Sequence, residues 1–198
     1  MAVLGSNNNK VSQDSITAGG HVAGRDMINN YTHIAAQNEL KPDTKLRLLI
    51  EEHESEKLRD NDYKQFSEKL NDFLNRKVEG KLRNLEQKLS DGNRTHIIEY
   101  AMEVKESVTK KILLNSHYES AQKIYTYLLT NIRAAFLHQV ASRIKSKDFQ
   151  SYQIDDIVLE RIIEPTLTSI DGCSLSIDAD EIYGLLYILT GNCYIEWD

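Results

Sequence analysis

Apolar residues recur at intervals of three and four along most of the chain after residue 41. This spacing places them on one face of a helix. The longest stripe consists of Ala121, Tyr125, Leu128, Ile132, Ala135, Phe136, Val140 and Ile144. It predicts a central helix that packs antiparallel against the preceding helix across a short loop at Asn115 and Ser116.

Shorter stripes predict further helices before and after the central one. Their apolar members are Leu46, Leu49 and Ile50; Tyr63, Phe66, Leu70, Phe73 and Leu74; Leu82, Leu85 and Leu89; Ile97, Ile98, Ala101, Met102, Val108 and Ile112; and Ile154, Ile157, Val158, Ile162 and Leu167. Pro42 marks the beginning of the first helix. Gly92 is expected to end the third helix, and Asn93 is expected to cap the fourth. Pro165 removes a hydrogen-bond donor, so a kink or break is expected there.

The most apolar stretch is the end of the chain, from Asp180 to Asp198. Its helical stripe consists of Ile182, Leu185, Leu186 and Leu189. Asp178 or Asp180 would cap this helix and Gly191 would end it. The alternation of residues 193–197 is typical of a short strand, which could pair with residues 174–177. The fold class predicted is mainly α, a helical bundle with a small C-terminal β-ribbon.

The first 40 residues differ from the rest, because they are rich in Gly and Asn and poor in long aliphatic side chains. Four β-branched residues, Ile16, Val22, Ile28 and Ile34, lie six residues apart. Strands this short cannot bury an apolar face within one chain. We therefore predict that 1–40 is a Gly/Asn-rich β oligomerisation segment shared between subunits, and that 41–198 is the helical domain. A disordered tail and a phosphate-binding Gly loop are the less favoured alternatives.

The net charge of −6 is unevenly distributed. Residues 148–198 contain eleven acidic residues and one basic residue, Arg161. This balance disfavours nucleic-acid binding there and favours contact with a basic partner or with the basic middle of the chain itself. No apolar run is long enough to span a membrane, and no signal-peptide core is found, so a cytoplasmic protein is expected.

Candidate chemistry is sparse. The six His residues form no His-x-x-x-His pair and the two Cys residues form no Cys-x-x-Cys pair, so neither a metal nor another cofactor is predicted. Asp155, Asp156, Glu160 and Glu164 cluster at helical spacing. Such carboxylates could serve a small metal-dependent nuclease or hydrolase, but a solvated acidic face that binds a partner is favoured. The basic face of the long helices leaves a nucleic-acid sensor as another alternative.

Three stretches of the chain resemble a known family: SHYESAQKIYTYLLTNIRAAF, DDIVLERIIEPTLTSI and, most specifically, YGLLYILTGNCYIEWD. They are similar to a C-terminal domain of bacterial ABC-three-component conflict systems, over residues 42–198. In the last stretch, the residues assigned to a structural motif are Tyr187, Gly191, Asn192, Cys193 and Trp197. The resemblance implies an anti-phage defence protein that acts with an ATPase or an effector. Since no catalytic motif is found, we expect a non-enzymatic adaptor or assembly subunit that forms a homo-oligomer and docks a partner protein.

Overall fold

The computed structural model describes residues 43–58, 67–76 and 83–198, and it is mainly helical. Its α-helices are α1 Thr44–Lys57, α2 Glu68–Asn75, α3 Leu85–Asp91, α4 Ile98–Leu114, α5 Glu119–Ala135, α6 Ala141–Ser146, α7 Ser151–Val158, α8 Glu164–Ser169 and α9 Ala179–Gly191. A 3₁₀ turn, Thr95–Ile97, precedes α4. The predicted β-segment with Ile16, Val22, Ile28 and Ile34 lies outside the described residues and stays a prediction.

The long central helix is present as expected, but its predicted packing is wrong: it lies mainly against α1 and α9 and has little contact with α4, the helix before it. α5 continues through a π-helical turn, Phe136–Val140, into α6 without a break. Its predicted stripe is buried over most of its length, from Ala121 to Val140. The helix ends where Lys147 takes a left-handed conformation, with φ of 60°.

Helix α9 occupies the centre of the domain and packs most extensively against α4. Its beginning follows the prediction, because Asp178 and Glu181 form reciprocal side-chain to backbone hydrogen bonds, at 3.1 and 2.6 Å. At Gly184 the two helices approach closely. A Cβ atom there would lie 2.5 Å from the carbonyl oxygen of Val104 and 2.6 Å from Cγ1 of Val108. Only glycine permits this approach.

Polar contacts fix α1 to the beginning of α5. The buried ring of His53 hydrogen-bonds through Nδ1 to Oγ of Ser120 at 2.7 Å. The carboxylate of Glu56 accepts from the backbone N–H groups of Glu119 and Ser120, at 2.9 and 2.8 Å. These are two of the donors that a helix N-terminus leaves unsatisfied. Burial lowers the pKa of His53, which favours a neutral imidazole at this joint.

The predicted β-ribbon is not formed, since the described residues contain no strand. Residues 174–177 and 193–197 are irregular, and Ser176 and Cys193 adopt positive φ angles of 49° and 60°, which no β-ladder accommodates. Leu175 and Ile177 are buried separately by the helices. The alternation of apolar and polar residues at 174–177 and 193–197 therefore comes from loops in which every second side chain is buried.

Three smaller expectations are also corrected. Asn93 does not cap α4; it turns with φ of 59°, and a 3₁₀ turn intervenes before Ile98. Met102 lies outside the buried stripe and is exposed. At Pro165 the helix is not broken, because a π-helical turn, Leu159–Ile163, precedes α8 and Pro165 is in its first turn, where a missing N–H costs little.

Candidate functional site

Trp197 anchors the segment that follows α9. Its side chain is 3% exposed, and its ring meets that of Phe136 edge-on with 5.0 Å between the centroids. Nε1 donates to Oγ1 of Thr190 at 3.0 Å, and the guanidinium of Arg94 lies over the ring, 4.5 Å from its centroid. Because Trp buries a large apolar area and satisfies its N–H here, the segment is part of the core.

Arg94 is buried although it carries a charge. Its Nε donates to Oδ1 of Asp155 at 2.7 Å, and its terminal nitrogens donate to the carbonyl oxygens of Gly92 and Ser151 at 2.6 and 3.2 Å. A buried charge is tolerated when it is paired and hydrogen-bonded. Arg94 therefore joins the loop after α3, the first turn of α7 and Trp197.

Two cations of α3 and the loop before it hold the same segment from the other side. Lys88, which is buried, donates from Nζ to the carbonyl oxygen of Thr190 at 2.8 Å and pairs with Glu196 at 2.9 Å. Arg83 donates to Glu196 at 2.8 Å and to Asp198 at 2.7 and 2.9 Å. The hydrogen bond from Arg83 lowers the pKa of the Asp198 carboxyl group.

The five residues assigned to the C-terminal motif have distinct places. Gly191 ends α9, and Cys193 turns the chain with its positive φ. The side-chain amide of Asn192 donates to two carbonyl oxygens at the end of α2, at 2.7 and 3.0 Å. Trp197 is buried as described, and Tyr187 lines a pocket. Their contacts are those of packing and chain reversal.

That pocket lies between α4, α7 and α9 and has a volume of about 320 Å³. We call it the tyrosine pocket; the residues that define it here are Tyr100, Tyr183, Tyr187, Trp197, Asp155 and His96. Tyr183 and Tyr187 stack at 20° with 6.2 Å between centroids, and Tyr100 meets both edge-on at 6.1 and 6.4 Å. Tyr187 is buried, whereas Tyr100 and His96 are exposed at the mouth.

Carboxylates surround the tyrosine pocket. The hydroxyl of Tyr100 donates to Oδ1 of Asp180 at 2.7 Å. Burial and the nearby charges of Asp155 and Glu164 raise the pKa of Tyr183. Burial also raises the pKa of Tyr100, together with its bond to Asp180. The rings are therefore neutral at physiological pH and lie in a negative field.

The four predicted acidic residues divide into two groups. Asp155 is committed to Arg94, whereas Asp156, Glu160 and Glu164 are exposed and pair with no cation that the structure describes. Exposed apolar residues accompany them along α7, the π-helical turn Leu159–Ile163 and α8. We call this set the acidic strip; its members are Tyr152, Asp156, Leu159, Glu160, Glu164 and Leu167.

Three lysines of the basic face of the long helices form ion pairs within the domain. Lys110 pairs with Glu106 at 2.6 Å, and Lys111 pairs with Glu181. Lys123 pairs with both Glu52 and Glu119, at 2.7 and 3.0 Å. Cations already bound to carboxylates neutralise fewer phosphates, so these three lysines are less available to nucleic acid.

A larger cavity, of about 490 Å³, lies between α3 and α4. Its charged lining includes the exposed Glu86, Glu103 and Lys110, and also Lys105, whose pKa is lowered by burial. Within the described ranges, no group of three or more His, Cys, Asp or Glu side chains could hold a metal ion. In the same residues, no helix is both long enough and apolar enough to cross a lipid bilayer.

Sequence reasoning missed Arg94, Lys88 and Tyr100. Patterning assigns Arg and Lys to solvent, so no periodic signal reveals a buried cation. The spacing of Tyr183 and Tyr187, four residues apart on a helix, does indicate that they are neighbours. The third ring, Tyr100, comes from α4, and no local spacing connects it to the two tyrosines of α9.

The fold and these contacts define a helical domain whose C-terminal segment is built into the core and whose α7–α8 side is acidic. The family profile described as C-terminal domain 9 of the ABC-three component (ABC-3C) systems matches residues 84–197. The chain belongs to this family. No curated protein and no solved structure matches it significantly.

Proposed function

We propose that the chain is a non-enzymatic adaptor and assembly subunit of a bacterial anti-phage ABC-three-component system. It docks another protein of the same system, an ATPase or an effector, through the acidic strip. The family match supports the setting. The acidic strip is the single observation that carries the docking role.

The acidic strip combines two properties of a binding surface. Tyr152 is 64% exposed and Leu159 is 40% exposed, so apolar area is available for burial. The carboxylates beside them lack an ion pair within the described residues, and Arg161 is the single basic residue between 151 and 169. A basic surface with apolar residues at its centre would complement this face.

Replacing both Asp156 and Glu160 by Lys is expected to weaken binding of the co-encoded ATPase at least tenfold, about 1.4 kcal/mol. The physical reason is that two attractive charges become repulsive at the interface. Isothermal titration calorimetry with the purified ATPase measures the affinity. An affinity within twofold of the wild-type value would contradict docking through this face.

The assembly role rests on the hexad pattern of Ile16, Val22, Ile28 and Ile34. Deleting residues 1–39 is expected to lower the particle mass, because the shared β-structure would be lost. Light scattering measures the mass, and circular dichroism checks that the helices persist. A truncated protein with an unchanged number of subunits would contradict this role.

A further inference from the structure

Cations lie against aromatic rings at several places in this domain. Besides Arg94 over Trp197, the guanidinium groups of Arg76 and Arg133 lie 4.4 and 5.0 Å from the ring centroid of Tyr194. Aromatic faces attract cations through the ring quadrupole, most strongly where water is excluded. At these three places the cation comes from the chain itself.

The tyrosine pocket also presents aromatic rings that could contact a cation, and it contains a cavity. Three tyrosine rings line a cavity of about 320 Å³, near the lower end of the range typical of ligand sites. The mouth is accessible, since Tyr100 is 36% exposed. The pocket therefore has room for a side chain that the described residues do not supply.

The charges around the pocket favour a positive occupant. Asp180 accepts one hydrogen bond from Tyr100 through Oδ1, and its second oxygen can accept from another donor. Glu164 of the acidic strip is near enough to Tyr183 to affect its pKa. Arg94, which lies over the Trp197 ring, is already paired with Asp155.

We propose that the tyrosine pocket binds the guanidinium group of an arginine side chain from the partner protein. This inference rests on the proposed docking role and specifies its partner: a basic segment that presents an arginine next to the acidic strip. Arginine suits the site better than lysine, because a planar guanidinium stacks on rings and donates to carboxylates at the same time.

The test uses Trp197, the only Trp of the chain, which lines the pocket and reports occupancy by its fluorescence. N-acetyl-arginine amide is titrated into the full-length protein, with N-acetyl-citrulline amide as the neutral control of the same shape. Saturable binding with a Kd on the order of 1 mM is expected for the arginine compound, and at least fivefold weaker binding for the citrulline compound. Equal responses to both, or none to either, would overturn the proposal.

Two variants locate the binding. Tyr100→Leu removes a ring at the exposed mouth and should weaken arginine binding about fivefold or more, while Tyr183→Phe keeps its ring and should bind as the wild type does. Unchanged binding by a folded Tyr100→Leu protein would overturn the assignment to this pocket.

The two proposals fail in different ways. In one outcome the arginine compound does not bind, the wild-type protein still binds the ATPase, and the Asp156→Lys, Glu160→Lys protein no longer binds it. The proposed arginine site is then wrong and the docking role stands. If the compound binds and no partner of the system docks, the docking role is wrong.

Discussion

Replacing Trp197 by Ala is expected to lower the free energy of unfolding by about 3–5 kcal/mol, a large part of the ~5–15 kcal/mol of a typical domain. The substitution removes a buried ring that packs on Phe136 and lies under Arg94. It also leaves Oγ1 of Thr190 without its donor. Urea unfolding followed by circular dichroism measures the change.

Trp197→Phe is the matched control, because it keeps a ring and loses only the indole N–H. Its expected cost is about 1–2 kcal/mol, the cost of a lost hydrogen bond and a smaller ring. If Trp197→Ala costs less than about 1 kcal/mol, the segment after α9 is not part of the core as described.

Replacing Gly184 by Ala is expected to lower the free energy of unfolding by about 1–3 kcal/mol through overpacking. Helix propensity alone predicts a gain of about 1 kcal/mol, so the sign of the effect is decisive. The new Cβ would contact the backbone of Val104, which cannot move without separating α4 from α9. Thermal and urea unfolding give the value.

Gly191→Ala is the matched control on the same helix. There a Cβ atom would meet chiefly the end of the flexible Lys105 side chain, 2.6 Å from Nζ, which can move away. We expect a change of less than about 1 kcal/mol. Equal losses at both positions would show that the α4–α9 approach is not specially close.

Much of the helical architecture could be predicted because its signals are local. The stripe of α5, the capping pair at the start of α9 and the glycine that ends it are all contained within a few turns of sequence. The loop at 174–177 was predicted to be a strand, because a loop and a strand that bury alternate side chains have the same sequence pattern. Ser176 takes a positive φ of 49° in this loop, which the alternation of apolar residues does not reveal.

The candidate sites depended more on distant contacts. The acidic strip could be predicted from helical spacing, although the commitment of Asp155 to Arg94, sixty-one residues earlier, could not. The tyrosine pocket needs Tyr100 from α4 beside Tyr183 and Tyr187 from α9. Such long-range pairing appears only once the helices are assembled.

The central claim is that the domain docks a partner through the acidic strip. Its most direct test compares two variants of equal net charge in calorimetric titrations with the ATPase: Asp156→Lys with Glu160→Lys, and Glu99→Lys with Glu103→Lys, whose carboxylates are exposed on α4. We expect at least a tenfold loss of affinity for the first and less than a twofold change for the second. Equal losses would contradict the claim, because they would show a response to total charge and not to this surface.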